Sequence, residues 1–157
     1  MVIGVICRTT DKELIKSIVT LPDLWATVAE DGQEPCTWEP DMGIAWLVAQ
    51  DDDGQVMGLY SLIPNNCVTL EIHPYILPLY RGKKAYQSGR EVLAWIGLTT
   101  SYSKVVCQIP VIYKNVKLFA MRCGFKQEGI NRLSYLKNGK IVDQWRLGVV
   151  LNEIQQT

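Results

Sequence analysis

A chain of 157 residues has room for one domain with a real core, and at 48% hydrophobic and 20% charged residues it is built to fold rather than stay disordered. Sixteen basic residues balance 16 acidic ones, a formal net charge of zero that excludes an extended nucleic-acid track. No apolar run reaches the roughly 18 residues of a membrane span and no signal peptide opens the chain, so a cytoplasmic protein is expected.

Val2 to Cys7 reads as a first strand. Thr10 or Asp11 then caps a helix carrying Leu14, Ile15, Ile18 and Val19. Pro22 ends that helix or opens a second short one through Leu24, Trp25 and Val28. Asp31 to Gly43 is loop-like, with Gly32, Pro35 and Pro40. Ile44–Ala49 and Val56–Ile63 are strands of a hairpin whose turn is Asp51-Asp52-Asp53-Gly54. No calcium-ligand spacing follows that acidic triplet, so it reads as a solvated turn.

After a turn at Pro64-Asn65-Asn66, Val68 to Leu77 forms a long strand. Arg81-Gly82-Lys83-Lys84 makes a basic turn, and a helix with Ala85, Val92, Trp95 and Ile96 on one face runs to about Thr99. Strand, glycine-containing basic turn and helix start together point backbone N–H groups and the positive helix end at one place, which suits a phosphate or pyrophosphate. A solvated turn is the plainer alternative. Lys104–Ile109 is a strand closed by Pro110. Asn115 caps a helix that ends at Gly124 and carries Val116, Phe119, Ala120 and Cys123. Phe125–Leu136 and Ile141–Val150 form a last hairpin around a type I′ turn at Asn138-Gly139, and Asn152 to Thr157 is expected to fray.

The five cysteines, Cys7, Cys36, Cys67, Cys107 and Cys123, form no C-x-x-C pair. They read mostly as small core residues in a reducing compartment, and no metal is expected. Trp25, Trp38 and Trp46 read as core, with a substrate groove as the alternative. The element order predicts a single domain over 1–157, an α/β fold with a mixed, largely antiparallel sheet and a central strand-helix-strand crossover. The basic turn sits at the C-terminal end of a crossover strand, where open α/β sheets bind ligands.

Two stretches resemble the GNAT family of acetyl-CoA-dependent N-acetyltransferases. Arg81-Gly82-Lys83-Lys84-Ala85-Tyr86 is similar to the family's R-G-x-G-x-G or R-G-x-G-x-A turn, with Lys84 at the central glycine and Tyr86 at the last small residue. Asn115, Ala120, Gly124, Phe125 and Gly129 resemble a second family motif, an asparagine that opens a helix ending in glycine and phenylalanine. Leu136 to Asp143 is similar to the branch containing ribosomal-protein N-terminal acetyltransferases, and the overall style resembles phage-encoded members.

The resemblance implies acetyl-CoA as co-substrate, direct transfer to a primary amine on a protein, peptide or small molecule, and strands splayed at the cofactor site. Amides of Gly82, Lys83, Lys84, Ala85 and Tyr86, with Arg81, would cradle the pyrophosphate. Backbone donors around Tyr75, Ile76 and Leu77 would stabilise the oxyanion, where one donor is worth roughly 3 kcal/mol. Pro74 fits a strand that bulges or parts from its neighbour, or else an edge strand. Glu71 and His73 lie two apart on one strand face, and either can relay the amine's proton. A hydrogen-bonded structural histidine and an ion-paired Glu71 are the alternatives. Ala120 stands where many members carry the tyrosine that reprotonates the thiolate, and Tyr113 or Tyr86 is a substitute. Asn115 would orient the pantetheine or act as a plain cap. A monomer or homodimer is expected, paired through exposed strands around Trp145 and the last hairpin. The rival to an enzyme is an inert module of the same fold, such as a phage particle protein.

Overall fold

The computed structural model describes residues 5–154. One seven-stranded sheet runs β1-β2-β3-β4-β5-β7-β6. Its strands are β1 (Val5–Thr9), β2 (Ala45–Gln50), β3 (Val56–Pro64), β4 (Thr69–Ile76), β5 (Lys104–Pro110), β6 (Lys126–Lys137) and β7 (Lys140–Val150). The helices are α1 (Lys12–Val19), α2 (Pro22–Val28), α3 (Lys83–Thr99), α4 (Lys114–Cys123) and α5 (Leu151–Ile154). Every neighbouring strand pair is antiparallel except β4 and β5, which the α3 crossover joins in parallel. This is the architecture expected from the order of apolar runs and turn signals.

Local chemistry explains most boundaries. Asp11 Oδ1 accepts the Leu14 amide at 3.0 Å and caps α1. Asp51 Oδ1 accepts the amides of Asp53 and Gln55, both at 2.9 Å, so the acidic triplet is a hairpin turn. Asn138 and Gly139 both take positive φ, 53° and 72°, as a type I′ turn requires.

The sheet separates two cores. On one face α3, α4 and α5 cover Leu47, Tyr60, Ile72, Val105, Leu147 and their neighbours. On the other, α1 and α2 cover Trp46, Val48 and Leu59. Trp25, Trp38 and Trp46 belong to this second core and pack edge to face at 6.3 and 6.5 Å. Strand parity divides the inward faces: Ile72 and Ile76 point to the first core, Tyr75 to the second.

Several expectations need correction. The first strand runs to Thr9, beyond Cys7, and Val2 to Gly4 lie outside the described residues. Tyr113, not Asn115, is the N-cap of α4, and no side chain caps that end. Of the end expected to fray, residues 152–154 belong instead to a helical turn on the α3 side that Leu151 anchors by burying itself, and residues 155–157 lie outside the described residues. Only Cys107 and Cys123 are buried, whereas Cys36 and Cys67 are exposed on loops. Trp145 lies on β7, which β5 and β6 flank on both sides, so that strand has no edge to offer a second subunit. The free edges are β1 and β6.

Candidate active site

The site begins with a seam that opens. β4 and β5 pair at Thr69↔Lys104, Leu70↔Val105 and Glu71↔Val106, and there their pairing stops. Both strands continue, and their outer edges stay paired: β4 with β3 out to Gly58↔Ile76, β5 with β7 out to Pro110↔Gln144. The two strands therefore splay from Glu71 onward while each remains anchored on its far side. A cavity of about 750 Å³ runs through the fork, from the turn before α3 to the side covered by α2 and the β6–β7 hairpin. Pro74 lies in the splayed segment, where its missing N–H leaves no ladder bond unmade.

Register decides which amides face the gap. Leu77 donates its amide to Met57 O at 2.9 Å, so that edge belongs to β3. Antiparallel pairing alternates, so the Tyr75 amide faces β3 as well, and the Ile76 amide faces the fork. Leu77 thus drops out of the donors expected from sequence: its N–H is taken and its side chain packs in the α1–α2 core. Tyr75 lines the cavity, and its ring lies 5.6 Å from Trp46 in the α1–α2 core. Burial pushes its phenol above the ordinary range.

At the turn, Gly82 holds φ 99° and ψ −136°, a conformation suited to glycine alone. No side chain caps α3. The amides of Gly82, Lys83, Lys84 and Ala85 have no carbonyl partner among the described residues, while Tyr86 N–H already donates to Gly82 O at 3.1 Å. The cradle is therefore the four amides from Gly82 to Ala85, without that of Tyr86. Arg81, Gly82, Ala85 and Tyr86 line the cavity, and the exposed Lys83 and Lys84 flank it, with Lys84 Nζ 5.6 Å from the Tyr80 ring. Arg122 reaches across from α4 to donate to the Tyr86 hydroxyl at 3.0 Å, tying the two helices together at the mouth. These features fit a pyrophosphate: free donors, a helix's positive end and nearby cations.

On the α2 side His73 lines the cavity. Its Nε2 lies 2.8 Å from Glu71 Oε2. That hydrogen bond, chiefly, holds the Glu71 carboxyl below its usual range, against the opposing effect of burial. Glu71 stands behind His73, off the cavity wall. With Nε2–H donated to a carboxylate, neutral His73 keeps its lone pair on Nδ1, which has no partner among the described residues.

Tyr113 and Asn115 line the cavity where α4 begins. Tyr113 donates a long bond, 3.5 Å, to Ala26 O, and burial raises its phenol pKa. Ala120 is buried in the wall, as are Cys107 and Cys123, whose thiols burial pushes up to about 12. Sequence reasoning missed Gln108, Tyr135 and Gln144 on the wall. Gln108 left a signal: it is the one polar residue in the apolar run Val105–Pro110. Gln144 and Tyr135 left none, since strand pairing alone brings them to the fork. Among the described residues no group of three or more His, Cys, Asp or Glu side chains is placed to hold a metal.

No protein-family model and no curated protein sequence matches the chain. Solved structures do. The spermidine N-acetyltransferase of Vibrio cholerae, in complex with CoA and spermine, superposes with a TM-score of 0.80 at 17% identity, over 97% of this chain and 98% of that one. The same organism's spermidine/spermine enzyme crystallised with manganese gives 0.74 at 17% identity, over 98% and 96%. A chain designated a phosphinothricin N-acetyltransferase gives 0.72 at 20% identity, over 94% and 98%. The protein therefore has the fold of these N-acetyltransferases, the mixed GNAT sheet with its parted central strands.

Proposed function

We propose that the protein is an acetyl-CoA-dependent N-acetyltransferase that moves the acetyl group directly to a primary amine. The observation that carries this is the fork: one cavity joins four unpartnered amides at Gly82–Ala85 to a Glu71–His73 pair on the other side of the sheet. Acetyl-CoA would supply an activated acetyl thioester there. Gly82 to Ala85, with Arg81, would hold its pyrophosphate, and Asn115 would orient the pantetheine arm. The Ile76 amide is the backbone donor placed to stabilise negative charge developing in the gap.

An alkyl amine titrates near 10.4, so at pH 7 its neutral form lies about 5 kcal/mol uphill. His73 Nδ1 takes the proton, and the Glu71 carboxylate steadies the imidazolium that forms. Tyr113 is the hydroxyl closest in role to the absent tyrosine at Ala120. The two wall thiols, at about 12, are ionised at pH 7 on the order of once in 10⁵, which argues for direct transfer rather than an acyl-cysteine. Buried free thiols at Cys107 and Cys123 suit a reducing, cytoplasmic setting. Among the described residues no helix is long and apolar enough to cross a membrane.

The test is calorimetric titration with acetyl-CoA, followed by thiol release with a panel of amines. Binding with turnover is expected. Binding with no turnover on any amine would favour the inert module, a reading that Ala120 keeps open because a methyl group cannot protonate a thiolate. No binding would remove both.

A further inference from the structure

The acceptor end of the cavity has two properties that together select a substrate class. The first is charge. Its walls are Leu24 and Val28 of α2, Tyr113, Tyr135, Gln108 and Gln144. Among the described residues no carboxylate lines the cavity, and its lysine and arginine side chains are Arg81 and Lys114 alone. The carboxylates nearby stand off the wall and are held in place by hydrogen bonds: Glu71 by His73 and Gln108, Asp31 by the amides of Asn138 and Gly139 at 2.9 and 2.8 Å, and Glu30 Oε1 by the Leu136 amide at 3.4 Å. A second ammonium group entering here would lose water and meet no carboxylate in direct contact, since Asp31 and Glu30 act only from behind Tyr113 and Tyr135.

The second property is closure. Directly beyond Val28 and Tyr135, the chain after α2 is strapped to the tip of the β6–β7 hairpin. Asp31 N–H donates to Leu136 O at 3.2 Å and Lys137 Nζ to Ala29 O at 2.6 Å, in addition to the Asp31 and Glu30 bonds above. Tyr113 adds its bond to Ala26 O. The two elements that wall the acceptor end are thus joined by backbone contacts, and an extended polypeptide has no open trough to lie in.

Resting on the acetyl-CoA reading above, we infer that the acceptor is a small primary monoamine whose remaining body is uncharged and apolar or aromatic, not a polyamine and not a polypeptide. The apolar faces of Leu24, Val28, Tyr113 and Tyr135 receive that body; Gln108 is held by Asn131 and Glu71, and Gln144, whose Oε1 accepts from Ser134, offers its amide N–H as a neutral donor at the edge. In the transfer the N–C bond forms as the C–S bond breaks. The amine's proton leaves to His73 Nδ1, and a proton from solvent ends on the departing thiolate. No electron changes hands between oxidant and reductant.

The experiment compares kcat/KM for 2-phenylethylamine, spermidine and a free-N-terminus hexapeptide at saturating acetyl-CoA, with acetyl-CoA binding measured separately by calorimetry. The expected result is a preference of at least tenfold for 2-phenylethylamine over each of the others. Equal or better turnover of spermidine or the peptide overturns the inference, as does acetyl-CoA binding with no turnover of 2-phenylethylamine; both leave the cofactor reading standing. Absent acetyl-CoA binding overturns the underlying reading instead. Two variants sharpen the result. Gln144→Glu puts a carboxylate on the wall and should raise spermidine's kcat/KM relative to 2-phenylethylamine about tenfold. Asp31→Ala releases the strap and should raise the peptide-to-monoamine ratio. If neither ratio moves, the assigned wall and strap do not set specificity.

Discussion

The two edges of β4 are used in opposite ways. Toward β3 the strand is paired along its whole length, from Pro64↔Leu70 to Gly58↔Ile76. Toward β5 it pairs for three residues and then lets go. The same backbone thus serves as scaffold on one side and as binding surface on the other. A strand can leave its polar groups free toward a cavity when its opposite edge and its neighbour's far edge are both fixed. Changes on the fork side should therefore alter catalysis and binding, and changes on the β3 side should alter stability.

The largest effect is expected at the fork. His73→Ala should lower kcat by about 10²–10³, some 3–4 kcal/mol in the transition state, with acetyl-CoA affinity little changed. Glu71→Gln should cost roughly tenfold, and the double variant no more than His73→Ala alone, because the two act as a unit. Steady-state kinetics with calorimetry reads all three. Equal losses in kcat and affinity would make the pair structural.

On the β3 edge the matching test is Gly58→Ala. An added Cβ would meet Tyr75 O at 2.5 Å and Ile76 Cα at 2.9 Å, both backbone atoms that cannot swing aside. A stability loss of about 2–3 kcal/mol is expected, roughly 5–10 °C in Tm. Normal stability with lost binding would reverse the assignment of the two edges.

Gly82→Ala comes next. A Cβ there meets nothing within 4 Å, so the cost is purely conformational, set by φ 99°. Relaxation of the turn would scatter the four free amides, and acetyl-CoA affinity should fall about tenfold, while Tm moves by only a few degrees. Unchanged affinity would count against the cradle.

How far these features are readable in the sequence follows the same division. Element order, the β4–α3–β5 crossover and the basic turn are local, written in apolar periodicity, capping residues and glycine. The Glu71–His73 pair is local too, since residues two apart on a strand share a face. Which amides face the fork is not local: Leu77 and Ile76 differ only through register against Met57 and Gly58. Asn115 sits one position inside a helix that starts at Lys114, a shift no propensity resolves. Gln144 and Tyr135 reach the cavity only because β7 inserts between β5 and β6, a topology the final hairpin does not announce. The strap at Asp31 depends on contacts with residues more than 100 positions away.

That strap carries a pH signature. The amides of Gly139 and then Asn138 hold the Asp31 carboxyl below its ordinary value. A carboxyl whose pKa is depressed by folding contributes its stability above the unfolded value and loses it as pH falls through the folded one. The hairpin tip should therefore loosen below about pH 4, seen as shifts of the Asn138 and Gly139 amide resonances, and Asp31→Asn should abolish the transition. A transition that survives in Asp31→Asn would belong to another depressed carboxyl, such as Glu71, Glu39 or Asp51.

The smallest expected effect asks whether Pro74 holds the fork open or only marks it. Its alternation with Leu77 and Tyr75 turns its nitrogen toward the gap, so Pro74→Ala adds one N–H to the open edge. A single new bond is worth about 0.5–1.5 kcal/mol. Zipping the seam would require moving two strands, each pinned on its outer edge by β3 or β7, and would erase a cavity of about 750 Å³ between two packed helical layers. One bond does not meet that demand. Pro74→Ala should leave acetyl-CoA affinity within about threefold and lower stability by about 0.5–1 kcal/mol, through the added freedom of the unfolded chain. A more stable protein that no longer binds acetyl-CoA would show instead that the proline itself keeps the strands apart.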